Sequence, residues 1–283
     1  MIDVLGLEEV RRALAEDRAG EDVTTRLLGP AADARTIARF VAEGRFVVAG
    51  LPIVELIFHE LDSTACLESQ IAEGAWTTPE TAFATLRASG RVVLAGERVA
   101  LNFLQRLSGV ATLTRRAVDA VAGTPARITH TRKTTPGLRA LEQYAVRVGG
   151  GVDNRVSLAE AVLWKDNHWA LLGTPRSALA DALRSTPRGV AVMVEIEDDE
   201  QLDAALAAGV THILADNQSP ERIRSWAGRA GPGITIQASG GITPETARAY
   251  AEAGATLISI GALTHSAPAV GINVAVDTRR HAL

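Results

Sequence analysis

Residues 234–244 read Ile234-Thr235-Ile236-Gln237-Ala238-Ser239-Gly240-Gly241-Ile242-Thr243-Pro244. A short apolar run ends in a glycine pair. The Thr-Pro pair that follows puts a hydroxyl at a helix N-cap and proline in the first turn. The stretch therefore reads as a strand feeding a helix, and the pattern recurs through the second half of the chain. Apolar runs stand at 126–131, 161–164, 190–194, 211–215, 234–238 and 256–260, Thr174-Pro175 and Ser219-Pro220 open further helices, and Gly209 and Gly254 close them. Buried strands alternating with helices mean parallel βαβ units. Six or seven of them within about 140 residues favour a (β/α) barrel over an open sheet. No G-x-G-x-x-G follows the first strand, which argues against a dinucleotide-binding fold.

The first hundred residues mix the two element types. Helical spacing covers 5–15 and 52–61, strand-like pieces lie at 36–40, 45–49, 67–71 and 82–88, and two helices are expected at 97–107 and 111–122, separated at Gly109 and ended by Gly123. The expected class is α/β, with an N-terminal domain over 1–105, a barrel domain over 106–266, and a tail, 267–283, that returns to the first domain.

The 283 residues are 47% hydrophobic and 22% charged, which excludes wholesale disorder and collagen-like repeats. A net charge of −4 leaves no basic footprint for nucleic acid. The single cysteine, Cys66, excludes a disulfide framework and a cysteine zinc site. No apolar run approaches the roughly 18 residues of a membrane span, and Met1-Ile2-Asp3-Val4 shows no basic flank before an apolar stretch, so a cytoplasmic protein is expected. One bias stands out. Of 29 basic residues 27 are arginine, and the only lysines are Lys133 and Lys165. Lysines kept in such a background suit work that a guanidinium does badly, as a compact point charge or a titratable amine.

In a parallel barrel the loops after the strand C-termini carry the chemistry. Those positions here are Arg132-Lys133, Lys165-Asp166-Asn167-His168, Glu195, Asp216-Asn217, Ser239-Gly240-Gly241 and Gly261-Ala262. Both lysines thus share one rim with two carboxylates. The bland alternative is a rim ion-pair network. Glycines after the last two strands let backbone N–H groups approach an anion, and the helix after Thr243 points its positive end the same way. A tight turn would explain either glycine loop alone; two in succession point to a phosphate site. Arg98, Arg139 and Arg155 add positive charge, the last just after the triple glycine 149–151. A ligand with several anionic groups and hydroxyls, such as a phosphorylated sugar diphosphate carried with Mg²⁺, fits this set.

At these residues the sequence resembles the quinolinate phosphoribosyltransferase (nicotinate-nucleotide pyrophosphorylase) family of type II phosphoribosyltransferases. The resemblance runs from Asp22-Val23-Thr24-Thr25 through Glu97-Arg98, 100–109, 131–139, 165–168, Glu195, Asp216-Asn217, 239–242 and 261–268. It implies an N-terminal α/β sandwich domain, an incomplete (β/α) barrel, and a homodimer in which Arg98 crosses into the partner's site. It implies that Arg98, Arg132, Arg155, Asn154 and Arg139 bind the carboxylates of a heteroaromatic acid, while Lys133, Lys165, Glu195 and Asp216 hold phosphoribosyl pyrophosphate. Glu195 and Asp216 would also hold Mg²⁺, directly or through water, and the backbone of Ser239, Gly240, Gly241, Gly261 and Ala262 would take the 5′-phosphate. The implied reaction joins the phosphoribosyl group to the ring nitrogen of quinolinate, with loss of CO₂, in NAD biosynthesis.

The chain departs from the family pattern at three places, one of them Ala215, where the family has Leu. Asp153-Asn154-Arg155 stands where the family has Asn-His-Arg, and His130 where it has Asp. A carboxylate beside a dianion is unfavourable unless it turns away or pairs with Arg155. Two readings stay open: drift around a working quinolinate enzyme, or a paralogue, possibly of specialised metabolism, that ribosylates a different acid. Schiff-base chemistry on either lysine, a metal site on His130, His168, His212 and His265, and a non-catalytic paralogue are weaker alternatives.

Overall fold

The computed structural model describes residues 5–173 and 178–277. The Thr174-Pro175 cap and the last residues of the tail lie outside them. Among the described residues there are ten strands: β1 (Arg35–Ala42), β2 (Cys66–Ser69), β3 (Ala82–Ser89), β4 (Arg127–Thr129), β5 (Ala161–Trp164), β6 (Ala191–Ile196), β7 (His212–Asp216), β8 (Thr235–Ser239), β9 (Leu257–Ser259) and β10 (Ile272–Val276). They form two sheets, an antiparallel one in the order β10-β1-β3-β2 and a parallel one in the order β4-β9-β8-β7-β6-β5. None of the helices among the described residues is long and apolar enough to cross a membrane.

The chain divides into two compact units, one made of 1–113, 135–149 and 267–283, the other of 114–134 and 150–266. In the first unit β1 alternates, burying Ala38, Phe40 and Ala42. The helix Leu51–Leu61 buries Ile53, Val54, Ile57 and Phe58, and the Phe40 and Phe58 rings meet edge to face, 6.4 Å apart. Tail residues pair with β1, Ala38 opposite Val276.

Three expectations change. The two helices expected at 97–107 and 111–122 are one, Gly90–Ala120. Its glycines are sites of close packing rather than breaks: a Cβ on Gly96 would lie 2.6 Å from a Phe58 ring carbon, and one on Gly109 would overlap the Pro268 carbonyl oxygen. The segment 45–49 is not a strand. Beyond one bridge between Val47 and Trp76, its buried N–H groups go largely to side-chain hydroxyls: Phe46 to Thr77 (2.9 Å), Val47 to Thr112 (2.8 Å) and Ala49 to Ser108 (3.0 Å). The units divide at 113/114, inside the same long helix, rather than at the expected 105/106, and 135–149 joins the first unit. The cause is Glu142, fully buried, which accepts from Arg106 Nη2 (2.6 Å), from the Thr135 hydroxyl (2.7 Å) and from the Thr135 backbone N–H (3.0 Å). Arg106 also donates to the Ala267 carbonyl at 2.8 Å. A buried charge needs partners of this quality, so both segments are held to the first unit.

The second unit bears out the alternation read from the sequence. Each of the six apolar runs holds one strand. Ser219 Oγ accepts from the Arg222 N–H and caps the helix Pro220–Ala230, and Thr243 and Thr246 close the start of Pro244–Glu252. The strand order is that of a barrel opened between its first and second strands: β4 and β5 are the two edges, and beyond β4 a bridge from Thr129 to Val152 extends the sheet. The fold is thus an α/β sandwich with an incomplete (β/α) barrel.

Gly109→Ala should cost about 2–3 kcal/mol, the scale of overpacking a tight contact. Gly228→Ala, in a helix with open space around it, should be neutral or stabilising by under about 1 kcal/mol. Equilibrium urea unfolding of the two variants checks both.

Candidate active site

The parallel sheet brings its C-terminal strand ends to one rim, around a cavity of about 420 Å³ lined only by residues of the second unit. Nine of the residues singled out from the sequence line it: Arg132, Lys133, Asn154, Arg155, Lys165, Asp166, Glu195, Asp216 and Ser239. Side-chain alternation explains the selection. On β7 Leu214 and Asp216 point into the cavity while Ala215 is buried behind them.

Glu195 is the most buried charge there, its side chain 6% exposed, and its partner is Lys165 Nζ at 2.6 Å, itself 43% exposed. Burial pushes the Glu195 carboxyl above its ordinary value. The Lys165 ammonium opposes that shift, and Asp216 and Asp166 add to it. The pair is braced locally. The Trp169 indole donates to the Glu195 carbonyl (2.9 Å), and the Lys165 N–H donates to His168 Nδ1 (2.9 Å) as the helix Asp166–Leu172 begins. Across the cavity Arg155 donates to the Ala161 carbonyl at 3.1 Å. Its pKa is lowered by burial first and by the Arg132 charge second, with Glu195 opposing. Two guanidiniums that disfavour each other in a half-buried place form a site prepared for an anion.

Lys133 is exposed, and its carbonyl accepts from Thr264 Oγ1 at 2.8 Å. Its side chain passes close to Gly261, where a Cβ would lie 3.5 Å from Lys133 Cδ. Gly240 and Gly241 have φ of +96° and +61°. Gly240 is also required by a neighbour, since a Cβ there would overlap the Asn217 side chain and come within 2.7 Å of its backbone nitrogen. Asn217, at φ +54°, donates from Nδ2 to Asp216 Oδ2 at 2.6 Å. Gly240, Gly241, Gly261 and Ala262 follow the adjacent strands β8 and β9 but do not line the cavity.

Arg98, on the helix Gly90–Ala120 and exposed, and Arg139, at the start of the helix Arg139–Val148, belong to the first unit and do not line this cavity. Asn154 is bonded to its own loop: its Oδ1 accepts from the Arg155 N–H (2.8 Å), its Nδ2 donates to the His130 carbonyl (3.2 Å), and its N–H donates to His130 Nε2 (3.3 Å). Asp153 is 53% exposed and lies 3.5 Å from His130 Nε2. Three of the residues that depart from the family pattern, His130, Asp153 and Asn154, therefore touch one another. Sequence reading missed Ser259, Thr131 and Leu163, which also line the cavity. The alternation of the 256–260 run, with Ser259 one residue before its end, was the available signal.

Residues 22–108 match the family described as quinolinate phosphoribosyl transferase, N-terminal domain, and residues 110–275 match its C-terminal domain. The chain is 40% identical over 267 residues to the nicotinate-nucleotide pyrophosphorylase (carboxylating) of Mycobacterium leprae (strain TN), covering 92% of this chain and 93% of that protein. It is 40% identical over 239 residues to the probable nicotinate-nucleotide pyrophosphorylase (carboxylating) of Bacillus subtilis (strain 168), covering 84% and 83%. The crystal structure of NadC from Streptococcus pyogenes is similar with a TM-score of 0.90 at 33% identity, over 98% of this chain and 99% of that one.

A carboxyl whose pKa is higher in the folded protein than in the unfolded chain stabilises the fold below the ordinary value of 4.5. That contribution is lost as pH rises through the folded value. Glu195→Gln has no such group, so its melting temperature relative to wild type should climb with pH over that window. Melting curves between about pH 4 and 7 check this, and a constant difference would refute the burial argument.

Proposed function

The chain belongs to the quinolinate phosphoribosyltransferase family, and on that footing we propose that it transfers the 5-phosphoribosyl group of phosphoribosyl pyrophosphate to the ring nitrogen of quinolinate. The products are nicotinate mononucleotide, pyrophosphate and CO₂, and the step belongs to NAD biosynthesis in the cytoplasm. The observation that carries this reading is the single cavity in which the chain's only two lysines and two arginines face Glu195 and Asp216.

In this reading the diphosphate leaves the anomeric carbon with the electron pair of the C–O bond, its charge met by Lys133 and Lys165. The pyridine nitrogen supplies the new bond to the oxocarbenium-like carbon. The protein's contribution is positioning and fixed charge. Arg132 and Arg155 hold the ring carboxylates. Loss of CO₂ leaves an electron pair on the carbon next to the quaternised nitrogen, which stabilises it until a solvent proton arrives, so no dedicated acid or base is needed. Glu195 and Asp216 face the ribose hydroxyls, and the backbone at 239–241 and 261–262 receives the 5′-phosphate, next to Lys133.

Magnesium fits these residues as an ion carried on the diphosphate. Among the described residues no group of three or more His, Cys, Asp or Glu could hold a metal ion, and Mg²⁺ with one or two carboxylates plus phosphate oxygens needs none. Asp216 and Glu195 would hold it through water, and it would supply charge neutralisation of the leaving group. Arg98 acts from a partner subunit in a homodimer, and Arg139 adds to the carboxylate pocket.

Purified protein with phosphoribosyl pyrophosphate, Mg²⁺ and quinolinate should release pyrophosphate and CO₂ in equal amounts, and nicotinate in place of quinolinate should yield no CO₂. Absence of both products from quinolinate would sink the assignment. Lys133→Met and Lys165→Met should each lower kcat/KM by about 10²–10³. Arg98→Ala and Lys133→Met proteins, each nearly inactive alone, should recover up to about a quarter of wild-type activity when refolded together, because half the dimers then carry one intact site. No recovery would place Arg98 within its own subunit's site or outside any.

A further inference from the structure

Beneath the charged rim a second, uncharged chain of groups leads through the sheet interior to the cavity at Ser259. His212, Gln237 and Ser259 come from three neighbouring strands, β7, β8 and β9. All three lie on the sheet face that carries the site. His212 shares its face with Leu214 and Asp216, Gln237 shares its face with Ser239, and Ser259 itself lines the cavity. His212 Nε2 meets Gln237 Oε1 at 2.6 Å, and Gln237 Nε2 donates to Ser259 Oγ at 2.5 Å. Gln237 is 1% exposed and Ser259 3% exposed.

The polarity of this chain follows from what each group can do. The Gln237 carbonyl oxygen can only accept, so the imidazole must carry its proton on Nε2. The Gln237 amide nitrogen can only donate, so it occupies an acceptor site on the Ser259 oxygen. The hydroxyl hydrogen of Ser259 is left to point elsewhere. Among the described residues no protein acceptor takes it, and Ser259 lines the cavity.

We propose that Ser259 is a substrate-binding residue that donates its hydroxyl hydrogen to an anionic oxygen of the bound substrate, phosphate or carboxylate, and that Gln237 and His212 are positioning residues that fix the direction of that donation. The inference rests on the transferase reading for its substrates, and on the hydrogen-bond chain for its geometry. Burial lowers the His212 pKa, against the Gln237 hydrogen bond that raises it, which keeps the ring neutral at physiological pH with one N–H to give. A neutral floor suits an anion above it. A carboxylate at position 237 would instead draw the serine hydrogen to itself and turn the hydroxyl away.

The test is calorimetric titration of the full-length protein, separately with phosphoribosyl pyrophosphate plus Mg²⁺ and with quinolinate, for wild type, Ser259→Ala, Gln237→Glu and the double variant. Steady-state KM and kcat are measured alongside. Ser259→Ala should weaken binding of one of the two substrates by about ten-fold, the effect of losing one hydrogen bond to a charged group, and raise its KM more than it changes kcat. The substrate affected tells whether phosphate or carboxylate is the acceptor. Gln237→Glu should weaken the same substrate to a similar degree, and should add less than about two-fold in the Ser259→Ala background. Binding of both substrates unchanged by Ser259→Ala, or an effect of Gln237→Glu that persists without the serine hydroxyl, overturns the proposal. If Gln237→Glu does not fold, Gln237→Met takes its place with the same expectations. Wild-type protein that binds both ligands but turns over neither would sink the transferase reading while leaving this test intact.

Discussion

Parallel pairing is the constraint on which the site depends. Strands that run the same way end on the same side, so six stretches with little sequence in common deliver their last side chains to one rim. Most of the residues between those ends are apolar and could be exchanged among themselves at modest cost. The end residues could not, because they are the polar and charged groups that meet at the cavity, the most buried of them Glu195. The Lys165–Glu195 pair shows how this is tolerated: one partner is buried, the other keeps its ammonium half in solvent, and an indole and an imidazole fix the backbone on both sides.

The electrostatic design is one of unmet demand. Arg132 and Arg155 lie close enough for one charge to depress the other's pKa, while Glu195 is destabilised as an anion by its own burial. A ligand with several negative groups and a sugar between them relieves both tensions at once. The arrangement stores its selectivity in fixed positions rather than in flexible contacts, which is how preorganised sites lower barriers.

What could be read from the chain beforehand follows the range of the interactions involved. Strand and helix positions in the second unit were legible because apolar runs and Thr-Pro or Ser-Pro caps act over a few residues. The rim residues were legible because a strand end is a local feature. The continuity of Gly90–Ala120 was not, since Gly96 and Gly109 look like breaks until Phe58 and Pro268 are seen against them. Nor was the membership of 135–149, because Arg106 and Glu142 are 36 positions apart and nothing near either predicts the other. The role of Gly240 was half legible: a tight turn was one of the two readings of its glycine pair, and its φ is positive, while the approach of Asn217 from the next strand end was not read. Asn154 was visible as a departure from its relatives, but its ties to His130 appeared only in three dimensions.

The Arg106 guanidinium has one further consequence. It joins three stretches that are far apart in sequence, through Glu142 and the carbonyl of Ala267. The family boundary between residues 108 and 110 passes just beyond it, so the borders by which relatives are recognised are not borders of folding. The molecule is not modular in the way its linear order suggests: scissors applied at that border would part a guanidinium from the Glu142 carboxylate and the Ala267 carbonyl and strand that carboxylate in the other fragment.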